Sequence, residues 1–176
     1  MSLLRVHRQR EPWYFASAGD GGRFDLAAPE GTCYGSDSHL GAFVEHFGPL
    51  IAPGRAIPLR ALRARHLSNL EIDGQLRLAD LTARSALGRF GITVELSVTV
   101  EYEKTRLWAA AFAAAGFDGI RYTARHDPAA QLRSIALFGK AGVTPLGSAD
   151  SQALPPWLIL KAATAFGITV APELLP

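Results

Sequence analysis

Cysteine is almost absent from this sequence. The chain of 176 residues contains a single cysteine, Cys33. An intramolecular disulfide needs two cysteines, so a disulfide framework is excluded. One thiol also cannot build a zinc site by itself. Because a chain without disulfides suits the reducing cytosol, we predict a cytoplasmic protein.

Long apolar runs and a strong excess of one charge are also missing. The longest apolar candidate, LWAAAFAAAGF, is shorter than the roughly 18 residues that a membrane span requires. No basic segment leads into an apolar run near the start, so we predict neither a secretory signal nor a membrane span. The 18 basic residues nearly balance the 16 acidic ones, for a formal net charge of +2. We therefore expect no direct binding to nucleic acid.

The short motifs of several common cofactor and catalytic sites do not occur. The chain has no Walker spacing, no GxGxxG, no HExxH and no GxSxG. None of its five histidines stands at ligand spacing from a carboxylate, so we predict no metal site. The composition, 48% hydrophobic and 19% charged, is that of an ordinary globular protein. We predict one domain over residues 1–176.

Reactive side chains are concentrated in one early stretch, GGRFDLAAPEGTCYGSDSHLGAFVEHFG. It places Arg23, Tyr34 and Glu45 at equal intervals, among glycines and ahead of a capped helix. No other part of the chain combines reactive side chains, glycine turns and a helix start so densely. We interpret this stretch as the wall of a cleft.

The helix in this stretch is predicted to begin after the capping residues 36–38 and to end at Gly48-Pro49. One apolar stripe defines it, formed by Leu40, Phe43, Val44 and Phe47. At about 100° per residue, Glu45 lies roughly 150° from the centre of that stripe. Its neighbours on the same side, Gly41 and Ala42, are small and leave room for a ligand. The alternative is a solvated glutamate on a surface helix.

The remaining chain alternates strand and helix character. Strands are predicted at 3–7, 57–67, 92–100, 117–124 and 135–138. Helices are predicted at 101–115 and 155–166, the first being alanine-rich and followed by Gly116. The segments at 117–124 and 135–138 are separated by a turn sequence, which favours an antiparallel pair.

Several short motifs, taken in order, resemble one known family. They are GRF at 22–24, TCYGSD at 32–37, AFVE at 42–45, TRLWAAAFAAAG at 105–116, FDGIRYTARHDP at 117–128 and IALFG at 135–139. From the first motif to the last, they span about two thirds of the chain. This ordered set resembles the RES-domain family, which is named for its arginine, glutamate and serine. Each motif alone is weak, whereas the ordered set is fairly specific.

The resemblance implies both a fold and a function. RES domains resemble ADP-ribosyltransferase toxins, so we expect a single α+β domain with a mostly antiparallel sheet and flanking helices. Family members are NAD-degrading toxins of bacterial toxin–antitoxin pairs, acting as NAD phosphorylases or NAD glycohydrolases. The implied substrate is NAD, cleaved at the nicotinamide–ribose bond with phosphate or water as acceptor and without a metal. The implied partner is a cognate antitoxin, in a homo- or hetero-oligomer.

The resemblance also assigns roles to individual residues. Glu45 and Arg23 match the family's catalytic glutamate and arginine. Glu45 would stabilise the oxocarbenium-like charge on the ribose, and Arg23 would bind the pyrophosphate. The positions expected to bind NAD are Arg5, Arg23, Tyr34, Ser36, Thr123 and Ala124.

The family serine is the point of departure. The family motif is roughly Tyr-x-Ser-x-Arg, but this chain has Tyr122-Thr123-Ala124-Arg125. Thr123 is adjacent, but neighbouring strand residues point to opposite faces, so Thr123 does not simply replace the serine. Compensation by a hydroxyl of Thr123, or of Ser36 or Ser38 across the cleft, is a hypothesis. Two alternatives stay open. One is a degenerate RES fold that binds a nucleotide or a partner without turnover, and the other is ADP-ribosyl transfer to a macromolecule.

Overall fold

The computed structural model describes residues 1–8, 11–19, 21–51 and 56–172. The last four residues of the predicted domain, 173–176, therefore lie outside the described part. The strands are β1 (Ser2–His7), β2 (Tyr14–Phe15), β3 (Glu30–Ser36), β4 (Ile57–Pro58), β5 (His66–Ile72), β6 (Leu78–Asp80), β7 (Gly119–Thr123), β8 (Arg133–Lys140), β9 (Gly142–Val143), β10 (Gly147–Ala153) and β11 (Val170–Ala171). The helices are α1 (His39–Ile51), α2 (Leu59–Arg63), α3 (Ser85–Phe90), α4 (Glu95–Val98), α5 (Tyr102–Ala114) and α6 (Pro156–Phe166).

Seven strands form the main sheet, in the order β10-β5-β1-β3-β8-β7-β6. Neighbouring strands are antiparallel except for the parallel pair of β6 and β7 at one edge. The expected α+β architecture with a mostly antiparallel sheet is confirmed. The predicted antiparallel pair is also confirmed, as β7 and β8.

The sheet opens between β1 and β3. The described pairing of these strands is confined to Leu4 and Ser36, whereas β1 pairs with β5 along its whole length. Gly35 permits the close approach, because a Cβ there would lie 2.4 Å from Cδ2 of Leu3. Beyond Leu4 the strands separate, and this separation provides the floor of a cavity.

Two half-cores cover one face of the sheet. In the first, α1 and α6 pack Phe43, Phe47 and Leu158 against Val6 of β1. The second half-core packs α5 against β7, and its buried residues include Ala109, Phe112, Ile120 and Tyr122. The opposite face carries a third apolar cluster that includes Leu3, Cys33, Ile135 and Leu137. Each fully buried large apolar side chain contributes about 1.5–3 kcal/mol relative to exposure, so these clusters fix the relation between sheet and helices.

The predicted end of α1 is wrong. The helix continues through Gly48 and Pro49 to Ile51. Gly48 serves packing instead of termination, because a Cβ there would lie 2.3 Å from Cδ2 of His126. Pro49 has no N–H and removes a single helical hydrogen bond, which the packed helix tolerates near its end.

One predicted strand is wrong, and another is correct only at its two ends. Within 92–100 the chain forms the short helix α4, and within 57–67 it forms β4, α2 and the start of β5. Leu96 of α4 is buried in the half-core of α5, and Leu62 of α2 is buried in the half-core of α1. In α4, burial of Leu96 overrides the weak strand preference of the surrounding β-branched residues.

The helices predicted at 101–115 and 155–166 are confirmed as α5 and α6. Among the described residues, no helix is both long enough and apolar enough to cross a membrane.

Candidate functional site

A cavity of about 290 Å³ lies where β1 and β3 separate and α1 crosses above them. Its described lining includes three arginines, Arg5, Arg23 and Arg125, and one carboxylate, Glu45. Since the arginines outnumber the carboxylate, the cavity favours anionic ligands. Four of the predicted site residues, Arg5, Arg23, Tyr34 and Glu45, are brought together here.

Both carboxylate oxygens of Glu45 accept a hydrogen bond. The Tyr122 hydroxyl donates to Oε1 at 2.6 Å, and the Ser134 hydroxyl donates to Oε2 at 2.6 Å. Tyr122 and Ser134 face each other across β7 and β8, and both are buried. Burial, and secondarily the negative charge of Glu45, hold the pKa of Tyr122 well above its ordinary value. Tyr122 therefore remains a donor at physiological pH, and the carboxylate is held in one orientation.

Arg23 is buried at the cavity wall, with 7% of its surface exposed. Its Nη1 donates to the carbonyl of Ser97 in α4, and its guanidinium carbon lies 5.7 Å from the centre of the Tyr102 ring. The hydroxyl of Thr105 in α5 donates to the backbone carbonyl of Arg23. Contacts from α4 and α5 therefore fix both the side chain and the backbone of Arg23.

The loop that carries Arg23 is wound around a buried carboxylate. Asp25 accepts from the Gly22 amide at 2.6 Å and from the Tyr34 hydroxyl at 2.7 Å. The same Tyr34 hydroxyl accepts from the Phe24 amide at 2.8 Å. Burial, and then the charge of Asp25, hold the pKa of Tyr34 well above its ordinary value. The Tyr34 hydroxyl thus anchors the loop, and its ring forms part of the cavity wall.

Arg5 leaves β1 on the face opposite Leu4 and Val6, toward Cys33. Its Nη1 donates to the Tyr14 carbonyl at 2.9 Å and to Sγ of Cys33. Burial raises the pKa of the Cys33 thiol, and the positive charge of Arg5 partly offsets that rise. Because the strands separate at this point, Arg5 also borders the cavity.

Ser36, Thr123 and Ala124 do not line this cavity. Ser36 donates to the Arg133 carbonyl at 2.6 Å, and Ala124 is buried with 1% exposure. Ser38 accepts from the Gly41 amide at 3.1 Å and caps α1. The described hydrogen bonds of Ser36 and Ser38 do not involve Arg23 or Glu45, and compensation by a hydroxyl of Thr123, Ser36 or Ser38 stays a prediction.

The hydroxyls that reach Glu45 belong to Tyr122 and Ser134. Tyr122 lies in a family motif but was assigned no role in the site from the sequence, and Ser134 was not singled out at all. The signal that could have found them is the predicted strand pair at 117–124 and 135–138. Extending that pair by one residue at its turn end includes Ser134, which the register places beside Tyr122. The ring of Tyr102 and the guanidinium of Arg125 at the cavity wall were missed as well.

His46 directly follows Glu45 and lines the same cavity. Its Nε2 accepts a hydrogen bond from Nε of Arg65 at 2.6 Å. Burial, followed by the positive charge of Arg65 and then of Arg8, lowers the pKa of His46 to about 3. The imidazole is therefore neutral at physiological pH. Because Nε2 acts as acceptor, the proton resides on Nδ1.

This histidine makes the stability of the fold dependent on pH. The unfolded chain binds a proton at His46 below about pH 6.5, but the folded chain does not until about pH 3. The free energy of unfolding therefore falls as the pH drops through that window. We expect wild type to lose about 2 kcal/mol more than His46→Gln between pH 7 and pH 5. Urea denaturation of both proteins at the two pH values measures this difference, and parallel losses would contradict it.

Within the described ranges, no group of three or more histidine, cysteine, aspartate or glutamate side chains is arranged to hold a metal ion.

A protein-family model matches this chain, and a solved structure shares its fold. The model of the RES domain matches residues 2–156. Among solved structures, the chain is similar to the MbcT toxin in the crystal structure of the M. tuberculosis MbcT–MbcA toxin–antitoxin complex. The two share 15% sequence identity with a TM-score of 0.68, over 92% of this chain and 88% of that one. At this identity the likeness establishes the fold alone. No curated protein matches by sequence.

Proposed function

The chain belongs to the RES-domain family, and we propose that it is a toxin-like enzyme that cleaves the nicotinamide–ribose bond of NAD. Phosphate or water is the acceptor for the ribose. One observation carries this proposal. Among the described lining residues, the cavity holds a single carboxylate, whose two oxygens are fixed by hydroxyl donors, in a wall otherwise rich in arginine.

The chemistry follows from the charges that change during the reaction. The bond between C1′ of the ribose and the nicotinamide nitrogen breaks, and its electron pair leaves with neutral nicotinamide. Positive charge develops on the ribose, and the carboxylate of Glu45 stabilises it. Phosphate or water then forms the new bond to C1′, and where water is the acceptor its proton passes to the solvent. Since Tyr122 and Ser134 hold Glu45 in place beforehand, little reorganisation accompanies this step.

The arginines serve the other end of the substrate. A pyrophosphate carries negative oxygens that match the planar guanidinium group. Arg23 is preorganised by Ser97 and Tyr102, and Arg5 by the Tyr14 carbonyl. We assign both to the pyrophosphate and the ring of Tyr34 to the nicotinamide side.

The biological role proposed is that of a toxin held by a cognate antitoxin. Family membership supports this, as does the fold shared with the toxin of a toxin–antitoxin complex. The antitoxin would cover the cleft and prevent NAD from entering. Growth arrest on expression, relieved by co-expression of the neighbouring gene, is the expected phenotype.

Proton NMR of NAD incubated with the purified protein tests the reaction. We expect wild type to release nicotinamide and Glu45→Gln to do so at least about 1000-fold more slowly, since the developing charge loses its counter-ion. Running the assay with and without phosphate separates phosphorolysis from hydrolysis. The matched control is Glu103→Gln, an exposed glutamate of α5, which should retain full activity.

Two other outcomes would replace the proposal. NAD that binds, as judged by line broadening, but remains intact would favour a degenerate RES fold that binds without turnover. The burial of Ala124 at the family serine position is the observation that favours this alternative. Radiolabel from NAD appearing on a protein or nucleic acid would instead indicate ADP-ribosyl transfer.

A further inference from the structure

A second cavity adjoins the one that contains Glu45. It has a volume of about 340 Å³ and shares Arg5, Val6 and His46 with the first cavity as a common wall. On its far side lie Arg8 and Glu11, which the first cavity does not contact. The two cavities are therefore neighbours, and Arg5 and His46 border both of them.

The first cavity is small for a dinucleotide. Its volume of about 290 Å³ is at the lower end of the range for sites that hold drug-sized molecules. NAD consists of two nucleotides joined by a pyrophosphate and is larger than most such molecules. A ligand with its reacting bond at Glu45 must therefore extend beyond the first cavity, and the second cavity is its neighbour across the residues that both share.

The second cavity presents donors suited to phosphate. Arg5 and Arg8 supply two guanidinium groups, against the single carboxylate of Glu11 among the described lining residues. His46 also lines this cavity, and its ring carries its proton on Nδ1 because Arg65 donates to its Nε2. Phosphate oxygens accept hydrogen bonds from both kinds of group.

We propose that the second cavity is a phosphate-binding subsite formed by Arg5, Arg8 and neutral His46. The identity of the occupant rests on the proposed function. It is either a phosphate group of the dinucleotide or the inorganic phosphate that accepts the ribose. In both cases Arg65 is a positioning residue, which acts by holding the His46 ring.

Titration with inorganic phosphate at constant ionic strength, followed by ¹H–¹⁵N NMR of the wild-type protein, tests the subsite. We expect shifts at the amides of Val6, Arg8 and His46. Arg8→Gln should weaken phosphate binding about 10-fold, because a charge-assisted hydrogen bond is lost. Arg8 is exposed, so this substitution should not disturb folding.

Two further variants sharpen the test. Glu11→Gln should strengthen phosphate binding about threefold, since it removes the opposing carboxylate while leaving the cavity shape unchanged. Arg89→Gln is the matched control, because it makes the same change in net charge on exposed α3, outside the described cavities. It should leave the affinity for phosphate unchanged.

A competition experiment identifies the source of the phosphate. If ADP-ribose displaces inorganic phosphate from the subsite, the occupant is the pyrophosphate of the dinucleotide. If both sets of shifts persist together, the occupant is the phosphate acceptor. Phosphate shifts without any effect of ADP-ribose would support the subsite but contradict the proposed function.

The subsite itself is contradicted by phosphate shifts confined to other regions. It is equally contradicted if Arg8→Gln and Arg89→Gln bind phosphate with the same affinity. Neither readout involves NAD cleavage, so failure of the subsite and failure of the proposed function are distinguishable.

Discussion

Removing both hydroxyl donors to Glu45 should lower kcat for NAD cleavage by about 100-fold or more, with a smaller change in KM. The variant is Tyr122→Phe combined with Ser134→Ala, which leaves the carboxylate present but unanchored. A hydrogen bond to a charged group contributes about 1.5–3 kcal/mol, and each 1.4 kcal/mol of the barrier corresponds to about tenfold in rate. Steady-state kinetics of nicotinamide release measures the effect.

The two single variants measure how much each hydroxyl contributes to kcat. Tyr122→Phe and Ser134→Ala should each lower kcat about tenfold, and their effects need not multiply because they act on one carboxylate. Ser148→Ala on exposed β10 is the matched control and should retain wild-type kinetics. An unchanged kcat in the double variant, with its fold intact by circular dichroism, would mean that the orientation of Glu45 is irrelevant to the reaction.

The hydrogen bonds from Tyr122 and Ser134 to Glu45 could not be predicted from the sequence, although Glu45 itself could. Glu45 is predictable as a residue outside the apolar stripe of α1, because that stripe is a local periodicity. The helix α5 and the strands β7 and β8 are predictable for the same local reason. The bonds from Tyr122 and Ser134 to Glu45 span 77 and 89 residues of sequence. They depend on the register of β7 with β8 and on the seating of α1 above both strands, which no local pattern specifies.

For Arg23, the position was predictable from the sequence but its surroundings were not. The family motif identifies its position, but its environment comes from 92–100, which the sequence suggested to be a strand. The structure forms α4 there, and the carbonyl of Ser97 in α4 accepts from Arg23 across 74 residues. Burial of Leu96 decides this helix, and burial is a property of the assembled fold. The local strand preference of 92–100 therefore fails at the segment whose structure is decided by its contacts with the rest of the fold.

A large effect on stability is expected from Gly119→Ala. Gly119 begins β7 and lies between β6 and β8, paired with Leu78 on one side and Leu137 on the other. A Cβ there would lie 2.4 Å from the carbonyl oxygen of Ala136 and 3.2 Å from Cα of Leu137. Both are backbone atoms of the neighbouring strand, so the clash cannot be relieved by a side-chain rotation.

We expect Gly119→Ala to lower the free energy of unfolding by about 3 kcal/mol, the upper part of the usual range for overpacking. For a chain of this length that corresponds to a fall in Tm of about 6–12 °C. The matched control is Gly88→Ala in α3, where nothing lies within 4 Å of the added Cβ and helix propensity should stabilise the fold slightly. Thermal and urea denaturation of both variants measure the difference.

Because β7 also carries Tyr122 toward Glu45, a shifted strand should lower kcat in the protein that remains folded. Equal stability of the two variants would mean that the β7–β8 ladder adapts to a methyl group, and the close approach at Gly119 would then not be required by the fold.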